Sequence, residues 1–79
     1  MYPKLIKAEA VAPLILKIEY DSGEIKQINM SKYCVTNFFK QLEIWDYFKL
    51  VQISGSTVSW PNEQDLAPET LYLESELIQ

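Results

Sequence analysis

The polar residues best able to do chemistry in this chain lie close together near its last third. Asn62, Glu63, Gln64 and Asp65 form the densest polar group in the sequence. Neighbouring carboxylates of this kind are found in acid–base catalysis and in sites for hard cations, but the spacing does not match a calcium-binding loop. We expect instead that Asp65 accepts hydrogen bonds from backbone N–H groups ahead of a helix and that Asn62 shapes the turn.

Other catalytic signals are scarce. The chain has no histidine, so its hydroxyl side chains have no imidazole to activate them. Its two glycines, Gly23 and Gly55, fall in separate turns rather than in one phosphate-binding loop. The single cysteine, Cys34, suits a small buried apolar position and cannot form an internal disulfide or a zinc site alone. We therefore predict no enzyme activity, no cofactor and no metal, with catalysis by Glu63 or Asp65 as the lowest-ranked alternative.

The net charge of the chain limits which partners it can bind. Seven basic residues against eleven acidic ones give a net charge of −4, and all seven are lysine. Nucleic-acid binding depends on phosphate neutralisation and commonly on arginine, so this composition argues against it. No stretch reaches the ~18 apolar residues of a membrane span, and charges interrupt the apolar run of residues 1–11, so no signal peptide is expected. The sequence predicts a cytoplasmic protein.

Alternating apolar and polar residues predict strands over 4–11, 14–20 and 24–29, the last two joined as a hairpin around Gly23. In the first of these strands, Leu5 is expected to share a face with Lys7, Glu9 and Val11. A second hairpin is predicted from 50–53 and 57–60, with Val51 and Ile53 facing Val58 and Trp60.

The helices are predicted from spacing and capping signals. Phe38, Phe39, Leu42 and Trp45 recur at the three-to-four spacing of an amphipathic helix whose aromatic stripe packs into the core. Capping is expected from Ser31 for a short turn and from Thr36 or Asn37 for the helix. Pro68 suits the first turn of a last helix that reaches about Leu77, with Leu71, Leu73 and Leu77 on its apolar side.

Together these elements predict one domain over residues 1–79. Its class is α+β, with a small antiparallel sheet built from two hairpins plus an N-terminal strand and two or three short helices packed against it. A chain of this length buries only about 60 to 65 % of its unfolded surface, so most of its large side chains are needed in the core.

The segment that begins at Trp60 also carries a resemblance. Trp60-Pro61-Asn62, Asp65-Leu66 and Pro68-Glu69-Thr70-Leu71-Tyr72 resemble the bacterial domain-of-unknown-function family 2442, and residues 3–8 and 16–24 are similar to its pattern as well. The resemblance implies a small α+β domain and supplies no catalytic residues. It also implies two contexts: a domain followed by a DNA-binding helix-turn-helix, or a single domain encoded beside another small protein, as an antitoxin is. Because residues up to Gln79 contain no recognition helix, we expect this chain to depart from the longer form. Relatives often have serine where this chain has Ala67, so we expect the cap of the last helix to come from Asp65.

Trp60, Asn62, Asp65 and Tyr72 form the predicted interaction surface. Aromatic side chains among polar ones suit a protein interface, and open sheet edges can accept another strand. The predicted function is therefore a protein-interaction module, an antitoxin-like partner of a small protein encoded nearby or a self-associating chain. The alternative is a small-molecule-binding or regulatory domain, in which the same four residues line a cleft between the sheet and the last helix.

Overall fold

A computed structural model of the chain describes residues 2–79, and it confirms the α+β class. The strands are β1 (Leu5–Ala12), β2 (Ile15–Tyr20), β3 (Ile25–Asn29), β4 (Gln52–Ser54), β5 (Thr57–Ser59) and β6 (Glu76–Leu77). The α-helices are α1 (Asn37–Lys40), α2 (Trp45–Phe48) and α3 (Pro68–Glu74), and 3₁₀ helices cover Met30–Tyr33 and Gln41–Glu43. None of these helices is long and apolar enough to cross a membrane.

The main sheet is antiparallel, with the strand order β1-β2-β3-β6. The predicted alternation along β2 is confirmed, since Leu16, Ile18 and Tyr20 are all buried on one face. The turn from β2 to β3 places Gly23 at φ +92°, a conformation that side chains with a Cβ rarely adopt. The central hairpin is therefore positioned by the sequence features that predicted it.

Strand β1 departs from its predicted pattern because it contains bulges. Leu5 aligns with Tyr20 but Lys7 aligns with Glu19, so Ile6 is an extra residue between them. The bulge moves the following residues to the opposite face, since side chains alternate along a strand. Leu5 is buried whereas Lys7 is exposed, so the prediction that they share a face is wrong.

The second hairpin forms a sheet of its own. Strands β4 and β5 pair only with each other, with Ile53 opposite Val58, and β4 lies close to β1 without backbone hydrogen bonds to it. Val58 is buried, whereas Ile53 keeps 41 % of its surface exposed. The second hairpin was expected in the main sheet, but the fourth strand of that sheet is β6, which pairs Leu77 with Lys26 of β3.

Helix α3 begins at Pro68 as predicted but ends at Glu74, because Ser75 adopts extended backbone angles. The chain then continues along β3, where the amides of Ile78 and Gln79 donate to the carbonyl of Ile25 and the amide of Ile25 donates to the carbonyl of Gln79. Leu71 is buried, but Leu73 and Leu77 are 62 % and 61 % exposed, so the predicted apolar side of the helix is correct only at Leu71.

Residues 37–48 form a broken helical segment rather than one helix: α1, a 3₁₀ turn and α2. The break lies at Ile44, whose extended backbone (φ −84°, ψ 114°) ends the 3₁₀ turn and precedes α2. The change of direction puts Phe48 in the core and leaves Trp45 41 % exposed. Leu42 is buried, but Phe38 is 50 % exposed, so the prediction of a fully buried aromatic stripe is wrong at Phe38 and Trp45.

Side-chain hydrogen bonds cap the start of α1 and of the first 3₁₀ helix. The hydroxyl of Thr36 accepts a hydrogen bond from the amide of Phe39 at 3.3 Å, which confirms the predicted cap of α1. At the first 3₁₀ helix, the side chain of Asn29 accepts from the amide of Ser31 at 2.9 Å. Ser31 is therefore inside the turn that it was expected to cap.

The core lies between the inner face of the main sheet and the helices with the second hairpin. Its buried apolar members are Leu5, Leu16, Ile18, Tyr20, Ile28, Met30, Cys34, Leu42, Phe48, Val58, Trp60, Leu66 and Leu71. The buried position predicted for Cys34 is confirmed, and burial raises the pKa of its thiol.

Candidate functional site

Trp60 belongs to the core and not to a surface. Its side chain is 1 % exposed, and its ring stacks on Phe48 with centroids 5.7 Å apart. The indole N–H donates to the backbone carbonyl of Phe48 at 2.8 Å, which satisfies the polar atom that burial removes from water. Trp60 therefore fixes the position of helix α2 and is not available to a partner.

The loop after Trp60 reverses the chain within four residues. The amide of Glu63 donates to the carbonyl of Trp60 at 2.8 Å, and the amide of Trp60 donates to the carbonyl of Gln64 at 3.0 Å. Glu63 takes the left-handed conformation, at φ +72°, and its side chain is exposed. This turn directs the next side chain, Gln64, into the protein.

Gln64 is completely buried and uses both ends of its amide. Its Nε2 donates to the carbonyl of Phe38 at 2.9 Å and to Oε1 of Gln41 at 3.0 Å, while its Oε1 accepts from the hydroxyl of Tyr47 at 2.6 Å. The three partners come from α1, the following 3₁₀ turn and α2. One buried side chain therefore joins all three parts of the helical segment 37–48, although each part is only a single turn long.

Asn62 adds two contacts from the surface side of the same network. Its backbone amide donates to the hydroxyl of Tyr47 at 2.8 Å, and its side-chain amide donates to Oε1 of Gln41 at 2.7 Å. Asn62 lies in the turn as predicted, and it also contacts the helical segment, which was not predicted. Gln41, Tyr47 and Gln64 were not predicted, and the sequence holds no signal that separates Gln64 from its polar neighbours.

Asp65 does not cap helix α3. It is exposed and forms a backbone bridge with Ser59, and no side chain caps α3, whose N-cap residue is Ala67. The expected cap is therefore wrong. The chain before α3 is held instead by the hydroxyl of Thr57, which donates to the carbonyl of Leu66 at 2.7 Å. Pro68 has no N–H, so the start of α3 has one fewer amide without a partner.

Tyr72 lies in a separate aromatic and ionic cluster. Its hydroxyl lies 2.8 and 2.7 Å from the two carboxylate oxygens of Glu24, and its ring contacts Tyr20 at 5.1 Å and Tyr2 at 5.2 Å between centroids. The ammonium group of Lys26 sits 3.7 Å from the centre of the Tyr72 ring and donates to the Tyr72 carbonyl at 2.5 Å. These contacts join β3 to α3.

The cluster alters the acidity of its members. The hydrogen bond from Tyr72 holds the pKa of Glu24 below its usual value, and the same bond raises the pKa of Tyr72. Burial raises the pKa of Tyr20 to about 12, with further contributions from Tyr72 and Glu24. The phenol of Tyr20 has no hydrogen-bond partner among residues 2–79, so the neutral form is strongly favoured.

The four residues of the predicted surface therefore do not form one continuous surface. Asn62 contacts the helical segment 37–48, whereas Tyr72 contacts Glu24 and Lys26. A shallow cavity of about 240 Å³ has both Trp60 and Asp65 in its wall, but neither Asn62 nor Tyr72 lines it. Residues 2–79 contain no group of three potential metal ligands.

Large apolar side chains are exposed on the helical segment that the loop holds. Phe38, Ile44 and Trp45 keep 50 %, 58 % and 41 % of their surface in solvent. Around them, Lys40, Glu43, Asp46 and Lys49 are exposed and carry balanced charge. The arrangement presents apolar and aromatic surface on a segment fixed from beneath by buried hydrogen bonds.

The fold is a small α+β domain in which Trp60, Asn62 and Gln64 bind the helical segment 37–48 and Tyr72 contacts β3. The chain belongs to the family described as Protein of unknown function (DUF2442), whose model matches residues 5–76. Comparison with curated proteins and with solved structures gives no match. The Trp60-Pro61-Asn62 part of the family pattern thus corresponds here to a core anchor and a turn.

Proposed function

We propose that this protein is a protein-interaction module that binds another protein through Phe38, Ile44 and Trp45. The observation that carries the proposal is the exposure of these three large apolar side chains on one short segment, at 50 %, 58 % and 41 %. A domain of this size gains stability from every large side chain that it buries, so leaving two aromatic rings in solvent costs stability. Exposed apolar surface of this kind commonly marks a protein interface.

The rigidity of the segment supports the same function. Gln64 and Asn62 bind residues of α1, the 3₁₀ turn and α2, so the exposed rings do not depend on single-turn helices for their position. A partner that meets a fixed surface loses less conformational entropy on binding than one that must order a mobile loop. Aromatic side chains are also the residues most often found at the energetic centre of interfaces.

The charges near the segment indicate what kind of partner fits. Lys40, Glu43, Asp46 and Lys49 give no net charge over residues 40–49, although the whole chain carries −4. The partner surface is therefore expected to be apolar at its centre and mixed in charge at its rim. A small protein encoded beside this one, as for the antitoxin-like relatives that the resemblance implies, is the partner that we propose.

The test is a quantitative binding comparison between surface variants. Tagged protein recovers its partner from lysate of the source organism, and the purified pair is titrated by calorimetry with wild type, Trp45→Ser and Phe38→Ser. Both variants are expected to weaken binding at least about tenfold, since truncation of a central aromatic residue commonly costs more than ~1.4 kcal/mol. Circular dichroism verifies that each variant is folded.

Leu73→Ser is the matched control, because Leu73 is a large apolar residue on α3 that is 62 % exposed. It should bind the partner as tightly as wild type. Equal affinity for wild type, Trp45→Ser and Phe38→Ser would refute the proposed surface, and recovery of no protein in a fixed ratio would refute the proposed function.

A further inference from the structure

Strand β1 has an open edge that carries opposite charges at close spacing. It is the first strand in the order β1-β2-β3-β6, and within residues 2–79 no strand forms a ladder with its other side, although β4 lies close to β1. Bulges at Ile6 and Val11 bound the regular part of this edge, residues 7–10. Lys7 and Glu9 are exposed there, and the alanines between and after them are half-buried.

The hydrogen bonds of β2 show which backbone groups of β1 are unpaired. The amide of Asp21 donates to the carbonyl of Lys4 at 2.8 Å, so alternate residues back along β2 also point toward β1. Those residues, Glu19 and Lys17, align with Lys7 and Glu9. The N–H and C=O groups of Ala8 and Ala10 therefore point away from the sheet, toward the open edge.

We propose that two copies of this chain pair antiparallel through their β1 edges, with Ala8 of one copy opposite Ala8 of the other. In this register Lys7 of each copy faces Glu9 of the second copy, which gives two opposite-charge pairs related by a two-fold axis. These are the non-hydrogen-bonded positions of an antiparallel ladder, where side chains come closest. This surface is separate from the one assigned to Phe38 and Trp45.

The charges select this register over its neighbour. Only shifts that keep the unpaired groups of Ala8 and Ala10 facing each other can form a ladder. Shifting the two-fold axis by one residue places Glu9 opposite Glu9 and Lys7 opposite Val11, which replaces two attractions with one repulsion. The bulges at Ile6 and Val11 prevent a long ladder, so the dimer is expected to be weak, with a dissociation constant between about 10 µM and 1 mM.

Charge reversal and mixing test the proposal. Lys7→Glu gives four facing glutamates in its own dimer and Glu9→Lys gives four lysines, so each variant alone should dimerise at least about tenfold more weakly than wild type. Mixed in equal amounts, the two variants restore both opposite-charge pairs and should form a heterodimer. If the variants instead weakened dimerisation through changed contacts within one chain, with Glu19 or Lys17, mixing them would not restore the dimer.

Analytical ultracentrifugation from about 10 µM to 1 mM separates the 9.2 kDa chain from its dimer. Lys40→Glu and Glu69→Lys are matched controls, because they change the same charges at exposed positions away from β1 and should dimerise like wild type. A wild-type protein that stays monomeric up to about 1 mM would overturn the proposal, as would a mixture that stays monomeric.

Cysteine pairing tests the register without changing the sign of a charge. Lys7→Cys and Glu9→Cys chains, mixed and mildly oxidised, should form a disulfide-linked heterodimer, because facing Cα atoms about 4.5 Å apart lie within disulfide range. Each variant oxidised alone should remain unlinked. Linkage of Glu9→Cys to itself would overturn the Ala8-centred register, and the absence of any linkage would overturn the pairing.

Discussion

Replacing Gln64 with leucine should destabilise the protein severely, although the two side chains have similar volumes. Gln64 is fully buried and makes three side-chain hydrogen bonds, to Phe38, Gln41 and Tyr47. Each such bond contributes about 1 kcal/mol, with a range of roughly 0.5 to 1.5 kcal/mol. The carbonyl of Phe38 and the O–H of Tyr47 also lose a partner, whereas the Gln41 and Tyr47 oxygens still accept from Asn62.

The expected loss in the free energy of unfolding is therefore about 2 to 4 kcal/mol. A domain of this length has a total of only about 4 to 12 kcal/mol, so the change removes a large fraction of its stability. Helices α1 and α2 should also lose order before the sheet does, because single-turn helices have little stability of their own. The exposed rings of Phe38 and Trp45 would then lose their fixed positions.

Urea unfolding followed by far-ultraviolet circular dichroism measures the difference, with Gln52→Leu as the matched control. Gln52 is an exposed glutamine on β4, so the same substitution there should change stability by no more than about 0.5 kcal/mol. A Gln64→Leu protein as stable as the Gln52→Leu protein would show that the buried amide does not hold the helical segment.

Three further results are expected. Burial raises the pKa of Tyr20 to about 12, above its value of roughly 10 in the unfolded chain. The neutral phenol therefore contributes fully to the free energy of unfolding below about pH 10, and this contribution is lost as the pH rises toward 12. Urea unfolding of wild type at about pH 9 and pH 11 should show the fall in stability, and Tyr20→Phe should show a smaller one. Lys26→Met removes the hydrogen bond to the Tyr72 carbonyl and the contact of the ammonium group with the Tyr72 ring, and should lower the unfolding free energy by about 2 kcal/mol. An unchanged urea midpoint would show that these two contacts do not stabilise the fold. Glu63→Gly removes the steric cost of a side chain in the left-handed conformation at φ +72°, and should raise the thermal midpoint by the equivalent of about 0.5 kcal/mol. The control Glu69→Gly, within α3, should lower the thermal midpoint because glycine disfavours a helix.

Local patterns predicted several elements correctly because their causes are local. The alternation of Leu16, Ile18 and Tyr20 placed β2 and its buried face, and Gly23 marked a turn that needs a positive φ. Thr36 and Pro68 marked helix starts through capping and the missing proline N–H, which depend only on neighbouring residues. The α+β class follows from these elements together.

The errors occurred where contacts distant in sequence decide the structure. The spacing of Phe38 and Trp45 is helical, but the extended backbone at Ile44 reorients α2 so that Phe48 fills the core beside Trp60. Leu77 continues the helical spacing, yet pairing with Lys26 on β3 draws it into a strand. Pattern analysis considers neighbours along the chain, whereas these choices depend on which partner the folded chain brings into reach.

The sequence by itself determined the fold class, the central hairpin and the family, since composition, alternation and turn chemistry are properties of short stretches. Only the tertiary structure decided that Trp60 is buried, that Gln64 points inward and that Tyr72 belongs to a different cluster. Burial depends on the sum of contacts from α2, the second hairpin and the loop, which are separated along the chain. The surface at Phe38 and Trp45 and the open edge of β1 could be found only once those contacts had fixed which side chains the core leaves outside.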